Sequence, residues 1–139
     1  MDEAKIRLVK SWLTKAHRDL GSSKALMDQT PPYLDTAIYH CQQAAEKALK
    51  AFLTFHNILF DKTHNLSSLL DLCEQVDSDF QNYYEAAATL TPYATAFRYP
   101  SEFFEEEPDE EQVREALKFS EQILNFVLDR LPQGTRPDQ

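Results

Sequence analysis

The segment from Tyr33 to His56 constrains the fold more than any other part of the chain. Ile38, Cys41, Ala45, Ala48, Leu49, Phe52 and Phe55 recur at three- and four-residue intervals, with Ala37, Ala44 and Ala51 beside them. That spacing places them on one broad face of an α-helix. At helical pitch, Thr36, His40, Gln43, Lys47, Lys50 and Thr54 fall within a sector of roughly 80°. A helix apolar on most sides and polar along one narrow stripe belongs at the centre of a bundle, because its apolar sectors need more than one neighbour. Its alanines allow those neighbours to approach closely.

The neighbours are legible on either side. From Asp2 to Asp28, Ile6, Val9, Leu13, Ala16, Leu20 and Leu26 keep the helical period, and Gly21 suggests a close approach near the end. Thr30-Pro31-Pro32 stops this helix before the central one. Leu59 to Asn65 is a connector, and Asn65 caps a third helix over about Leu66 to Val76. Asp77-Ser78-Asp79 restarts the chain into a helix from Phe80 to Leu90, after which Thr91-Pro92 reads as an N-cap and first-turn proline. Tyr99 to Pro108 is loop; Asp109 then caps a last helix striped by Val113, Leu117, Ser120, Leu124, Val127 and Leu131. No segment alternates as a strand. The expectation is an all-α, antiparallel up-and-down bundle of four long helices plus a short fifth helical segment. Residues 1–131 form a single domain and 132–139 a flexible polar tail.

Composition excludes several chemistries. The 139 residues suffice for one core without metal or disulfide support. Two glycines cannot build a Gly-rich phosphate loop, and Cys41 and Cys73 form neither a disulfide framework nor a thiolate cluster. No leader or membrane-spanning run is evident, so the expected compartment is the cytoplasm. The net charge of −9 argues against an extended nucleic-acid groove, but it is unevenly spread. Residues 1–70 carry nine Lys or Arg against seven Asp or Glu, and residues 71–139 carry five against sixteen. A small basic patch on the first two helices therefore stays available to a phosphate.

Three clusters can carry chemistry. His40, Gln43, Lys47 and Lys50 share the stripe of the central helix, which reads either as an anion site or as a solvated face partly neutralised by Glu46. Lys62, Thr63, His64 and Asn65 stand at a helix start, as an anion site or as simple caps. Tyr93, Arg98, Tyr99 and Pro100 set an arginine among aromatics, where it can clamp a base or phosphate or pin the acidic loop that follows. The seven carboxylates from Glu102 to Glu111 match no calcium-loop pattern, and the four histidines form no zinc signature, so no metal is expected. Serine-hydrolase elbows are absent.

The run Ala37-Ile38-Tyr39-His40-Cys41-Gln42-Gln43-Ala44-Ala45-Glu46-Lys47-Ala48-Leu49-Lys50-Ala51 resembles the second-helix signature of the HEPN family (higher eukaryotes and prokaryotes nucleotide-binding domain). Thr63-His64-Asn65-Leu66 and Tyr93-Ala94-Thr95-Ala96-Phe97-Arg98-Tyr99-Pro100 follow in the family's order. The resemblance implies a bundle that commonly forms a homodimer, and small prokaryotic members often pair with a minimal nucleotidyltransferase as toxin and antitoxin. Many members are metal-independent endoribonucleases that use an arginine, four to six intervening residues and a histidine. Arg98 matches the arginine, but Phe103 to Glu105 stand where the histidine belongs, and no histidine follows His64.

The chain thus resembles the branch lacking that motif, whose implied role is nucleotide or partner binding without RNA cleavage. For a nucleotide such as ATP or GTP, Lys47 and Lys50 would meet phosphates, Lys62, His64 or Arg98 would assist, and Tyr99 would stack on the base. The alternatives are an endoribonuclease with a non-standard Arg98–His64 site and a purely structural interaction module. Fifteen Phe and Tyr suggest that some aromatics lie at a dimer interface.

Overall fold

The structure, a computed structural model, describes residues 2–100 and 107–138. Among these residues five α-helices follow one another: α1 (Glu3–Met27), α2 (Leu34–Phe55), α3 (Leu66–Glu74), α4 (Tyr84–Leu90) and α5 (Glu110–Arg130). Short 3₁₀ turns cover Ser78–Tyr83, Thr91–Ala94 and Gln133–Thr135. Among the described residues there is no strand, and no helix is long and apolar enough to cross a membrane.

The all-helical bundle follows the apolar periodicity. α2 packs against α1, α3 and α5, and its buried residues run all round the helix. Val9, Leu13 and Ala16 of α1, Ile38, Leu49 and Phe52 of α2, Leu66 and Leu70 of α3, and Val113 and Val127 of α5 form the core. Three helices are long, at 25, 22 and 21 residues; α3 and α4 have nine and seven. The Phe80 helix expected from the sequence divides, because Asp77 Oδ1 accepts from the Asp79 amide at 3.0 Å and starts a 3₁₀ turn before α4.

The helix ends are closed by side chains. Asp2 accepts from the amides of Ala4 and Lys5, and Asn65 Oδ1 accepts from Ser68 N at 3.2 Å. Asp109 and Gln112 form a reciprocal capping box on α5. Thr91 is not an N-cap: it continues the helical backbone of α4, and its hydroxyl donates to the Ala87 carbonyl while accepting from Leu66 N at 3.0 Å. It thereby satisfies an otherwise orphaned first-turn amide of α3.

One further expectation is corrected. Gly21 is exposed, and a Cβ built there meets nothing within 4 Å, so no close packing accounts for it. In the segment after α5, Thr135 is fully buried, and Arg136 donates to the Leu128 carbonyl. Phe52, Phe80, Phe126 and Tyr83 form a chain of ring contacts at 4.6–4.7 Å within the bundle. The acids Glu102, Glu105 and Glu106, and the Phe103–Glu105 positions, lie outside the described residues.

Candidate functional site

Beyond its first turns the polar stripe of α2 is largely taken up by internal pairing, because two carboxylates, Asp19 and Glu46, meet its side chains. Asp19 lies on the buried stripe of α1 beside Ala16 and Leu20, only 8% exposed. Its Oδ1 is 2.8 Å from His40 Nδ1, and its Oδ2 is 2.6 Å from Lys47 Nζ. Burial alone would raise this carboxyl, but the hydrogen bonds from His40 and Lys47 outweigh it and hold the group below the ordinary value of 3.8. An ionised carboxylate only accepts, so His40 Nδ1 carries the proton and Nε2 is the nitrogen left for other chemistry.

On α2 itself, Glu46 plays the same part. Its Oε2 accepts from Lys50 Nζ at 3.1 Å, and its Oε1 lies 2.8 Å from His64 Nδ1 and 3.2 Å from Gln42 Nε2. Gln42 also donates to the His64 carbonyl, and Gln43 donates to Gln42 Oε1. Lys50 is 9% exposed, its ammonium between the rings of Trp12 and Phe60 at 5.8 and 5.7 Å. Glu46 therefore neutralises Lys50, whereas Lys47 is taken by Asp19.

What remains accessible gathers at the start of α2. A cavity of about 300 Å³ is lined by Asp35, Thr36, Tyr39, His40, Phe97 and Arg98. A second, of about 200 Å³, shares Asp35, Phe97 and Arg98 and adds Tyr99 and Pro100. The Arg98 guanidinium stacks on the Tyr39 ring, its carbon 3.9 Å from the ring centroid, and Tyr39 meets the His40 ring edge-on at 5.5 Å. Tyr99 is 72% exposed at the rim. A guanidinium fixed on an aromatic face, beside an oriented imidazole, can bind a phosphate or carboxylate and flank it with a π-surface.

Of the residues singled out from the sequence, His40, Arg98 and Tyr99 are brought to these adjoining cavities. Gln43, Lys47 and Lys50 serve internal partners, and Lys62 is exposed on the connector. His64 stands with Glu46 and is not among the residues lining either cavity, whereas His40 shares the first cavity with Arg98. Asp19 and Tyr39 were missed. A lone acid on the apolar stripe of α1 was the available signal for Asp19; Tyr39 had none beyond its place before His40. Among the described residues no three His, Cys, Asp or Glu converge as a metal site.

Comparisons with known proteins agree with this architecture. The model of the HEPN domain matches residues 9–131. A Methanocaldococcus jannaschii protein named "Putative toxin MJ1304" is 28% identical, over 92% of this chain and 91% of its own length. The solved structure of ST0689, an archaeal HEPN homologue, superposes with a TM-score of 0.70 at 28% identity, covering 88% of this chain and 96% of that one. The Thermus thermophilus protein TT1696 gives a TM-score of 0.71 at 26% identity, covering 88% and 98%.

Proposed function

The chain belongs to the HEPN domain family, and from that premise we propose that it is the non-catalytic, nucleotide-binding component of a toxin–antitoxin-like pair. Its partner in this reading is a minimal nucleotidyltransferase, and the protein acts in the cytoplasm as a homodimer. The observation that carries nucleotide binding is the Arg98 guanidinium held against Tyr39 on a cavity that also contains His40. About 300 Å³ is at the small end of ligand sites and suits the phosphate end of a nucleotide such as ATP or GTP, with Tyr99 at the rim for the base. The likeness to a protein named a toxin supports the paired module, and exposed Leu8 and Leu59 supply apolar surface for a second subunit. The non-catalytic assignment rests on Phe103 to Glu105 standing where the family's histidine belongs.

Titration calorimetry of the full chain with ATP and GTP tests the site. Arg98→Ala is expected to weaken binding by about tenfold or more, the order of a lost charge-assisted contact. Lys50→Met, at a residue committed to Glu46, leaves nucleotide affinity unchanged in the folded protein. Binding that ignores Arg98, or none at millimolar nucleotide, overturns this assignment. Sedimentation that shows only a 16.1 kDa species removes the homodimer.

A second reading is favoured by one observation. Asp19 fixes the proton of His40 on Nδ1, leaving Nε2 for proton transfer in the same cavity as Arg98. That is an acid–base arrangement for RNA cleavage from a histidine on a different helix. RNA cut by wild type and spared by both His40→Gln and Arg98→Ala would establish it in place of the non-catalytic role.

A further inference from the structure

The outer face of α1 carries a second polar cleft, which shares no lining residue with the Arg98 cavities. Arg7, Lys10, Ser11, Thr14, Lys15 and Arg18 form it together with Asp138 of the tail, around a volume of about 410 Å³. Residues 4–18 hold five Lys or Arg and no Asp or Glu, in a chain whose net charge is −9. The row steps along α1 by three or four residues, roughly 4.5–6 Å at a time. Arg7, Lys15 and Arg18 make no ion pair with any described residue. The hydroxyl of Thr14 is taken by the Lys10 carbonyl at 2.8 Å, which leaves that of Ser11 as a neutral donor in the row.

The cleft already holds one anion. Asp138 Oδ1 lies 2.9 Å from Lys10 Nζ, with the aspartate side chain 86% exposed. The tail is anchored just before it, by buried Thr135 and by Arg136 on the Leu128 carbonyl. Asp138 is therefore delivered to the row by an anchored segment but held there only by an exposed, easily displaced ion pair.

The lining decides the class of partner. Protein interfaces centre on apolar and aromatic side chains, and the described residues that line this cleft include none. Lysine, arginine and serine, with nothing apolar between, are the groups that contact phosphates along a nucleic-acid backbone. We propose that the outer face of α1 binds the phosphodiester backbone of a single-stranded nucleic acid through Arg7, Lys10, Lys15 and Arg18, and that Asp138 covers the Lys10 end of the row until the strand displaces it. This goes beyond the nucleotide site and is independent of it.

Fluorescence anisotropy of short labelled RNA and DNA of one sequence, titrated with the full chain between about 50 and 200 mM KCl, tests it. Four phosphate contacts give a slope of log affinity against log salt near −2.8, from about 0.7 per phosphate on single strands. Arg7→Gln, Lys15→Gln and Arg18→Gln each lower that slope by about 0.7. Asp138→Asn tightens binding about two- to fivefold at the lower salt, the effect of releasing one exposed pair, while Lys118→Gln, at an exposed lysine of α5 away from the cleft, changes little. Equal affinity for RNA and DNA supports contacts to the bare backbone; tighter RNA binding supports the same row with a 2′-hydroxyl contact. Thermal melting confirms that each variant is folded. The proposal is overturned if no anisotropy change occurs at low salt, if the triple glutamine variant binds as wild type, or if oligoglutamate of equal charge competes as well as unlabelled strand. An unchanged Asp138→Asn overturns the role of the tail.

Discussion

Replacing Asp19 by asparagine removes the charge at the junction of α1 and α2 while keeping the side-chain shape. His40 loses a carboxylate acceptor, and Lys47 loses its counter-ion at 2.6 Å. The Asp19 side chain is 11% exposed, with those of His40 and Lys47 at 26% and 22%. Breaking a fully buried pair costs about 3–5 kcal/mol and an exposed one about 0.2–1 kcal/mol, so this intermediate site should lose about 2–3 kcal/mol. In a chain of this length that lowers the melting temperature by roughly 6–9 °C.

The loss also has a pH signature. The folded Asp19 carboxyl sits below its ordinary value of 3.8, so between the two values the unfolded chain binds more protons than the folded one. Its contribution is complete above the unfolded value, begins to fall below about pH 3.8, and is gone once pH passes below the folded value. Urea unfolding of wild type and Asp19→Asn, followed by circular dichroism from neutral pH downwards, measures the gap. A cycle with Lys47→Met isolates the pair itself. A gap under about 0.5 kcal/mol at neutral pH, the scatter of an ordinary surface substitution, refutes the buried junction. So does a gap that stays constant as Asp19 is protonated.

Gly21→Ala should stabilise the fold by about 0.5–1 kcal/mol in the same unfolding assay, since the new methyl meets no atom and mid-helix glycine is unfavourable. Burial pushes the Cys41 and Cys73 thiols up to about 12, so a thiol reagent at neutral pH should label neither in the folded protein and both after denaturation. His56 is lowered from 6.5 by burial, reinforced by the Lys5 ammonium and weakly opposed by Asp77. Protonation then favours the unfolded chain, so stability should fall as pH drops through 6.5 towards the folded value, and His56→Gln should flatten that limb of the stability–pH curve.

The sequence was most informative where a signal is local. The apolar face of α2 and the caps Asn65 and Asp109 depend on residues within a turn or two of each other, and all three are found where the spacing puts them. The stripe of α2 was harder, because periodicity identifies a face without saying what it meets. Lys47 and Lys50 read as available cations until Asp19 arrives from α1 and Glu46 turns inward beneath Lys50. Arg98 was legible as an arginine among aromatics, but Tyr39, the ring under it, belongs to a different helix. Thr91 had the residue type and proline of a cap, yet its hydroxyl serves an amide from α3, which no local rule contains.

Those misreadings share a cause, and it relocates the anion chemistry of the molecule. Asp19 and Glu46 divide the polar side chains of α2 between them: the first ties His40 and Lys47 to α1, the second ties Lys50 and Gln42 to the connector at His64. Each carboxylate joins two elements, Asp19 tying α1 to α2 and Glu46 tying α2 to the connector, so removing either leaves a half-buried cation and loosens that contact together. With both of its lysines compensated inside the bundle, α2 presents little positive charge of its own. Among the candidate cations, those left for an external anion are Arg98 at the start of α2, exposed Lys62 on the connector and the row on α1. Charge reversal at Lys47 or Lys50 should therefore unfold the protein before it reports on any ligand, whereas neutral substitutions at Arg98, Lys15 or Arg18 should change binding and leave the melting curve where it was.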